Sequence, residues 1–441
     1  MVIQVFSHPK VVVKVDNDLW IELINTITPT IVDFINKKLS LSDFAVGGIL
    51  FEEIHIGVTA FQNFKISQLG SSKDMIELAL EQLTIDFAVK VTNSLDNQAQ
   101  PININFTRSF NEIGFVFSFL DLSNGLYVPF IDFKNLDFLL QNTVISQVLE
   151  QNYIQAIQQQ LQSSLESILK EKLVVTALDL IKVNLNYLFT LAMQVAGPQF
   201  LDVFEDISMS TLFTSAPQFI NNSLFLYLSG DIKKGDNPVA NNQLNEEIDV
   251  DYESDSKFEV YISQSFANTI LSTIDNREFR FNDDADYIRV NPAQNGDRVI
   301  FTEQGIQLNE LSAFALISIG MGLQPDVNFS MNGLVEAEVV QDIFWKLVVR
   351  VASFDFSTFF IAESYTAYIQ GFVRPLLTTA LVNLGHYELP LLNIKLPLGL
   401  RLGRMNIQIG NSYARLGLNL QYVLFVQTIR QRLGLENRLI I

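Results

Sequence analysis

Leu83-Thr84-Ile85-Asp86-Phe87-Ala88-Val89 is the stretch from which the fold class can be read. Large apolar residues alternate with small or polar ones, so an extended chain here has one apolar face and one wet face. Ile54-His55-Ile56-Gly57-Val58 before it and Ile102-Asn103-Ile104-Asn105-Phe106 after it show the same period of two. Turn-forming residues interrupt the pattern at Asn93 to Pro101 and at Ser123 to Gly125. From Phe44 to roughly Phe138 the chain therefore reads as an antiparallel meander with a single apolar face.

Upstream, Val11 to Val15 read as a short strand, and Asp16-Asn17-Asp18 as the N-cap cluster of a helix. Trp20, Ile24, Ile27, Ile31, Phe34 and Ile35 share one face of that helix, which spans about six turns and is expected to kink or curve at Pro29. Downstream, Val144 to about Val195 reads as a second, longer helix. Val148, Ile154, Ile157, Leu161, Leu165, Ile168 and Leu169 fall on one face, and Gln147, Gln151, Gln155, Gln158 and Gln162 on the other. A helix of that length would extend on the order of 70 Å, so it is expected to bend or to lie along an elongated body.

Gly197-Pro198 ends this element, and Leu224 to Leu228 open a second half. Gly235 to Ser256 carries six carboxylates from Glu246 onward and reads as a solvated, partly disordered loop. The second half repeats the order of the first. A short helix near Ser263 to Ile274 precedes alternating strands from Phe279 to Phe356, then a helix from Ser357 to Leu384 interrupted at Pro375, then strands from Ile394 to Phe425. A duplicated helix, meander, helix unit is the simplest account. The 441 residues suit two domains, and 48% hydrophobic content against 17% charged residues, with 35 Phe, requires a large apolar interior.

Every apolar run is broken before the roughly 18 to 20 residues that a membrane-spanning helix needs. A formal charge of −19 speaks against nucleic acid as a partner and against docking on an anionic bilayer by charge alone. The absence of cysteine removes disulfides, thiolate metal sites and thiol nucleophiles. Met1 to Lys10 lacks the basic and apolar regions of a secretory signal, so the chain is expected to stay inside the cell or to have had a signal removed.

Four segments together resemble the family of bactericidal/permeability-increasing protein, lipopolysaccharide-binding protein and related tubular lipid-transfer proteins. Pro9-Lys10-Val11-Val12-Val13-Lys14-Val15 before a long helix is similar to that family's mature N-terminus. Phe51-Glu52-Glu53-Ile54-His55-Ile56 with Phe61 to Ile66 is similar to its first barrel strands. Phe258-Glu259-Val260-Tyr261-Ile262-Ser263 leading into Phe266 to Ile274 is similar to the opening of its second barrel, and Leu389 to Leu398 to the segment before its last strands.

The resemblance implies an α+β fold, an elongated boomerang of two antiparallel β-barrels with long amphipathic helices, joined by a central sheet, with acyl chains in a tunnel within each barrel. It also implies a secreted or endomembrane-lumen protein, whereas Met1 as the true start implies an intracellular one. The family's usual disulfide has no counterpart here, and the candidate tip loop Val91 to Gln98 lacks the basic residues of the antibacterial members. Phospholipids or other acyl-chain ligands fit this departure better than lipopolysaccharide.

The divisions expected are an N-terminal lipid-binding barrel over 1–200, a central strand and acidic linker over 201–256, a C-terminal barrel over 257–423 and an extension over 424–441. Candidate lipid contacts are Trp20, Ile24, Ile27, Ile31, Phe34, Ile157, Leu161, Leu165, Ile168, Phe266, Ile270, Ile274, Phe372 and Leu376. Each taken singly also reads as ordinary core.

Chemistry is sparse by comparison. Gly320-Met321-Gly322-Leu323-Gln324-Pro325 fails the dinucleotide fingerprint at its last position, and no Gly-x-Ser-x-Gly elbow occurs. His8, His55 and His386 are isolated, and His55 is expected on the outer face of a strand. Asn282-Asp283-Asp284-Ala285-Asp286 lacks the glycine and closing glutamate of a calcium loop and reads as a solvated turn. Neither a metal nor a catalytic residue is expected. The function expected is lipid binding or transfer without catalysis, with a bound phospholipid or fatty-acyl ligand and transient membrane contact. The alternative is a structural subunit of an assembly, docked through residues 424–441.

Overall fold

A computed structural model describes residues 9–69, 73, 75–93, 101–121, 127–134, 173–196, 201–204, 207–210, 212–239, 248, 250–251, 257–273, 275–281, 286–292, 298–319, 324–341, 345–361, 367–390 and 401–421. In chain order the first elements are strand β1 (Val11–Asp16), helix α1 (Asn17–Lys38), strands β2 (Phe44–Val46), β3 (Ile49–Leu69), β4 (Met75–Asn93), β5 (Ile102–Asp121) and β6 (Tyr127–Phe133), and helix α2 (Val175–Ala196). Then come β7 (Leu201–Phe204), β8 (Ile207–Met209), β9 (Gln218–Ile220), β10 (Ser223–Leu228), β11 (Ile232–Lys234), β12 (Asn237–Pro238), β13 (Phe258–Ser263) and helix α3 (Gln264–Thr273). The last are β14 (Glu278–Phe281), β15 (Asp286–Val290), β16 (Val299–Thr302), β17 (Gly305–Leu316), β18 (Asp326–Gln341), β19 (Trp345–Ile361), helix α4 (Ala367–Leu384), β20 (Tyr387–Pro390), β21 (Arg401–Ile409) and β22 (Tyr413–Gln421).

These elements form two compact units. The described residues within 17–196 and 218–222 make up the first-half unit, and those within 9–16, 201–217 and 223–421 the second-half unit. In the first-half unit the strands pair antiparallel in the order β2-β3-β4-β5-β6, the expected meander. Leu83, Ile85, Phe87, Val89 and Val91 on β4 are each at most 5% exposed, as their alternation predicts. Helix α1 packs on β3, α2 packs on β6, and the two helices meet where the rings of Phe34 and Tyr187 stack 5.9 Å apart. The helix pair thus spans the two ends of a sheet curled into a half-barrel.

Asp18 in the first turn of α1 and Lys37 and Lys38 in its last turn complement the helix dipole. The helix continues through Pro29. A proline inside an isolated helix costs about 3 kcal/mol, whereas each fully buried Ile or Phe contributes about 1.5–3 kcal/mol, and Ile24, Ile31, Phe34 and Ile35 are all buried. Packing outweighs the local penalty. Of the long helix expected over Val144 to Val195, the described part is α2, entered through a wider π turn at Leu173 and Val174. Residues 144–172 lie outside the described residues, and the expected long helices are not shown.

The second-half unit repeats the plan: α3, then a curled antiparallel sheet in the order β14-β15-β17-β18-β19-β20 with β16 on the flank of β17, then α4 on β19. One boundary differs from expectation. Ser357 to Ile361, read as helix, continue β19, with Phe359 opposite Phe329 and Phe360 opposite Asn328. Thr358, Phe359, Phe360 and Ile361 favour a pleated surface, and the partner strand β18 is long enough to pair them. Helix α4 also continues through Pro375.

A second sheet of this unit runs β21-β22-β13-β1-β10, so the N-terminal strand β1 lies between strands from the second half of the chain. One of its faces packs Val11 and Leu228 against Ile207, Met209, Ile232 and Phe266. Of the acidic loop from 240 to 256 only Ile248, Val250 and Asp251 are described: Ile248 and Val250 are 6% and 7% exposed, and exposed Asp251 accepts from Arg415 at 3.2 Å, while the rest of the loop lies outside the described residues.

Candidate functional site

The inner faces of the two curled sheets are the candidate site. In the first-half unit, Trp20 on α1 stacks on Phe117 of β5 with ring centres 5.3 Å apart, and its Nε1–H donates to Asn17 Oδ1 at 2.9 Å. Phe61, Phe64 and Phe115 continue the aromatic lining. In the second-half unit, Ile288, Ala313, Ala315, Val327, Phe329 and Met331 of the sheet face Val373, Leu377 and Ala380 of α4. Arg374 lies over the rings of Phe356 and Phe359, 5.3 and 5.9 Å from their centres.

Asparagine side chains hold the helices to the sheets. Beyond Phe51, no described strand pairs with the flank of β3 away from β4, and α1 covers that edge. Asn36 accepts from Val58 N–H at 2.6 Å and donates to Val58 O at 2.9 Å. Asn25 does the same for Phe64, at 2.8 and 3.0 Å. At the opposite edge Asn186 of α2 accepts from Ile131 N–H at 2.7 Å and donates to its carbonyl at 2.9 Å. In the second-half unit Asn268 of α3 accepts from Arg298 N–H and Val299 N–H, both at 2.9 Å, and donates to Val299 O at 2.8 Å. Gln264 accepts from Phe301 N–H at 2.9 Å. A carboxamide has the donor and acceptor of a peptide group, so each of these three helices acts as a strand partner along an edge where no described strand pairs.

A buried ionic cluster lies on the β13-β1 sheet. Lys14 and Glu259 face each other in register, Nζ to Oε2 at 3.7 Å, and both side chains are almost wholly buried. Arg415 Nε donates to Glu259 Oε1 at 2.6 Å, and Tyr261 OH donates to Glu259 Oε2 at 2.8 Å. Burial first, and then the bond to Glu259, raises the Tyr261 phenol far above its usual range. The cluster ties β1, β13 and β22 together and is remote in kind from the apolar inner faces.

The candidate contacts distribute unevenly. Trp20, Ile24, Ile31, Phe34 and Phe266 are buried, and Ile27 and Ile270 are half-buried. Phe372 and Leu376 are 53% and 42% exposed and flank the α4 face that carries Val373 and Leu377. Ile157, Leu161, Leu165, Ile168 and Ile274 lie outside the described residues, as do 424–441. His55 is exposed on β3 as expected, and His386 faces Glu388 at 3.4 Å on the surface. Asp286, from the cluster read as a turn, is buried and accepts from Ser318 N–H at 2.7 Å. Among the described residues no three His, Cys, Asp or Glu are grouped as metal ligands.

The clasping asparagines went unread in the sequence. Asn25 and Asn36 stand eleven residues apart, three helical turns, which places both on one stripe of α1 beside the apolar face. Arg108 was a second missed signal: it stands where the alternation Ile104-x-Phe106-x-Arg108-x-Phe110 calls for an apolar inner-face residue.

No protein-family model matches the chain, and a search of curated proteins finds no significant match. Among solved structures the chain is similar to lipopolysaccharide binding protein, with TM-score 0.49 and 14% identity over 94% of this chain and 99% of that one. It is also similar to P47 of Clostridium botulinum E1, with TM-score 0.35 and 11% identity over 94% and 100% of the two chains. For P47 from Clostridium botulinum A2 the TM-score is 0.36, at 11% identity over 94% and 98%. These likenesses do not make the chain a member of the family that its sequence resembles, and at such scores they do not tell what it binds.

Proposed function

We propose that the chain binds acyl-chain lipids, phospholipid or fatty-acyl, against the apolar inner faces of its two half-barrels, and acts by binding and transfer without catalysis. One observation carries this reading: each unit curls an antiparallel sheet around an apolar face and sets helices over it. Acyl chains suit such a surface, since each buried methylene contributes about 0.8 kcal/mol and needs no polar partner. Head groups would remain at the openings, and release would accompany transient contact with a membrane.

Native mass spectrometry of the purified chain, followed by organic extraction, tests the reading. One or two acyl lipids per chain are expected. A stably folded chain that is empty and takes up none from vesicles would overturn it. Exchange of the bound lipid with vesicles distinguishes a carrier from a structural subunit that holds its lipid permanently.

A further inference from the structure

Helix α4 is apolar on more sides than it buries. Val373 and Leu377 are wholly buried and Ala380 is 6% exposed, all three packed on the second-half sheet. Phe372, Leu376, Thr379 and Val382, separated by steps of three or four residues, share a neighbouring side of the helix. That side is open: Phe372 is 53%, Leu376 42% and Val382 45% exposed, and Thr379 is exposed as well. The Thr379 hydroxyl donates back to Pro375 O at 3.0 Å, which commits its proton to its own helix. These four side chains therefore offer a partner little but hydrocarbon.

Charge decides what such a stripe suits. Arg374 is the one charged residue between Ala367 and Leu384, and it pairs with Asp355 of β19 at 3.8 Å. By contrast, α1 exposes Asp18, Glu22, Lys37 and Lys38. In a chain with 48 acidic residues, a helix without a carboxylate avoids the groups that a bilayer interface penalises most. A nearly neutral stripe complements neither a charged protein nor an anionic membrane, and two copies of a chain of net charge −19 repel each other. A zwitterionic bilayer needs no such complement. Pro375 lacks an N–H, so the Gly371 carbonyl loses its usual helical donor; interfacial water can bond it, whereas a dry protein contact would bury it unpaired. No helix among the described residues is long and apolar enough to cross a membrane, so α4 suits the plane of the interface.

We propose that this side of α4 docks the second-half unit on a zwitterionic bilayer, with Phe372, Leu376 and Val382 in the outer acyl region and the helix lying in the membrane plane. This rests on the lipid-transfer reading above and gives its membrane contact a place. The same helix covers the inner face of the sheet through Val373, Leu377 and Ala380. The surface that meets the bilayer and the surface that shields the ligand are thus two sides of one element. The bland account, scattered apolar residues on a solvated helix, predicts no response of α4 to vesicles.

The chain contains no cysteine, so Val382→Cys in the full-length protein supplies a single site for an environment-sensitive fluorophore. Asn328→Cys, exposed on the sheet face turned away from α4, supplies the control. With phosphatidylcholine vesicles the label at 382 should brighten about threefold and be quenched by spin-labelled lipid, while the label at 328 should not respond. Thr379→Glu should weaken co-sedimentation with these vesicles about tenfold and Thr379→Leu should strengthen it, with the lipid content of the chain by native mass spectrometry unchanged in both. Absence of vesicle binding, vesicle binding that leaves the label at 382 unchanged, or wild-type binding by Thr379→Glu overturns the docking surface alone if the chain still carries acyl lipid. Brightening with protein concentration and without vesicles also overturns it, and identifies a second copy as the occupant. A chain that docks through α4 yet neither carries nor takes up acyl lipid keeps the docking surface and overturns the lipid-binding reading.

Discussion

An asparagine side chain can stand in for a peptide group, and Asn268 shows what depends on that. Its carboxamide satisfies two backbone N–H groups, at the start of β16 and just before it, and one carbonyl in a buried setting. A buried polar group left without a partner costs about 1–3 kcal/mol, so Asn268→Ala should destabilise the second-half unit by about 3 kcal/mol, measured by urea unfolding. Tyr261 gives a pH signature. Its phenol is raised in the folded state, so the stability it contributes is fully present below the ordinary phenol value of about 10 and declines as pH rises beyond it. Tyr261→Phe should flatten that alkaline decline by up to about 1.4 kcal/mol per pH unit, read from urea midpoints between about pH 8 and 11.

At the scale of elements, the problem solved here is the open sheet edge. A long strand with unpaired N–H and C=O groups is a template for aggregation unless something covers it. Helices α1, α2 and α3 each cover an edge through carboxamides, so the same contacts that close the half-barrels also protect them. Hydrogen exchange tests this directly. Asn36→Ala should speed exchange of the Val58 amide about tenfold, equivalent to about 1.4 kcal/mol of local opening, and leave Phe64 protected through Asn25. Equal loss of protection at both amides would show that α1 covers β3 as one rigid body and not clasp by clasp.

For the molecule as a whole, charge and interior act in opposite senses toward membranes. The apolar inner faces favour lipid, while 48 acidic against 29 basic residues repel an anionic surface. Co-sedimentation with vesicles should therefore be stronger for phosphatidylcholine alone than for vesicles rich in phosphatidylserine. The difference should shrink at about 0.5 M salt, where the screening length falls to a few ångströms. Stronger binding to the anionic vesicles at low salt would contradict the charge argument.

Periodicity is a local property, and what it governs was legible in the letters: the meander around Leu83 to Val89, the apolar faces of α1 and α3, and the repeated helix, meander, helix order. Arg108 was legible too, as a break in that alternation. Tertiary structure alone decided the rest. Whether Ser357 to Ile361 become strand or helix depended on an available partner strand, and Ile248 and Val250 found cover that an acidic loop composition does not announce. The meeting of Glu259 with Arg415, 156 residues away, follows from β13 pairing with β22, and its meeting with Lys14 from β1 pairing with β13. The role of Asn25, Asn36, Asn186 and Asn268 depended on which strand edges no other described strand covers. Strand partners far apart in sequence are chosen by which edges and faces remain to be satisfied once the chain has folded, and a single stretch of sequence carries no record of that choice.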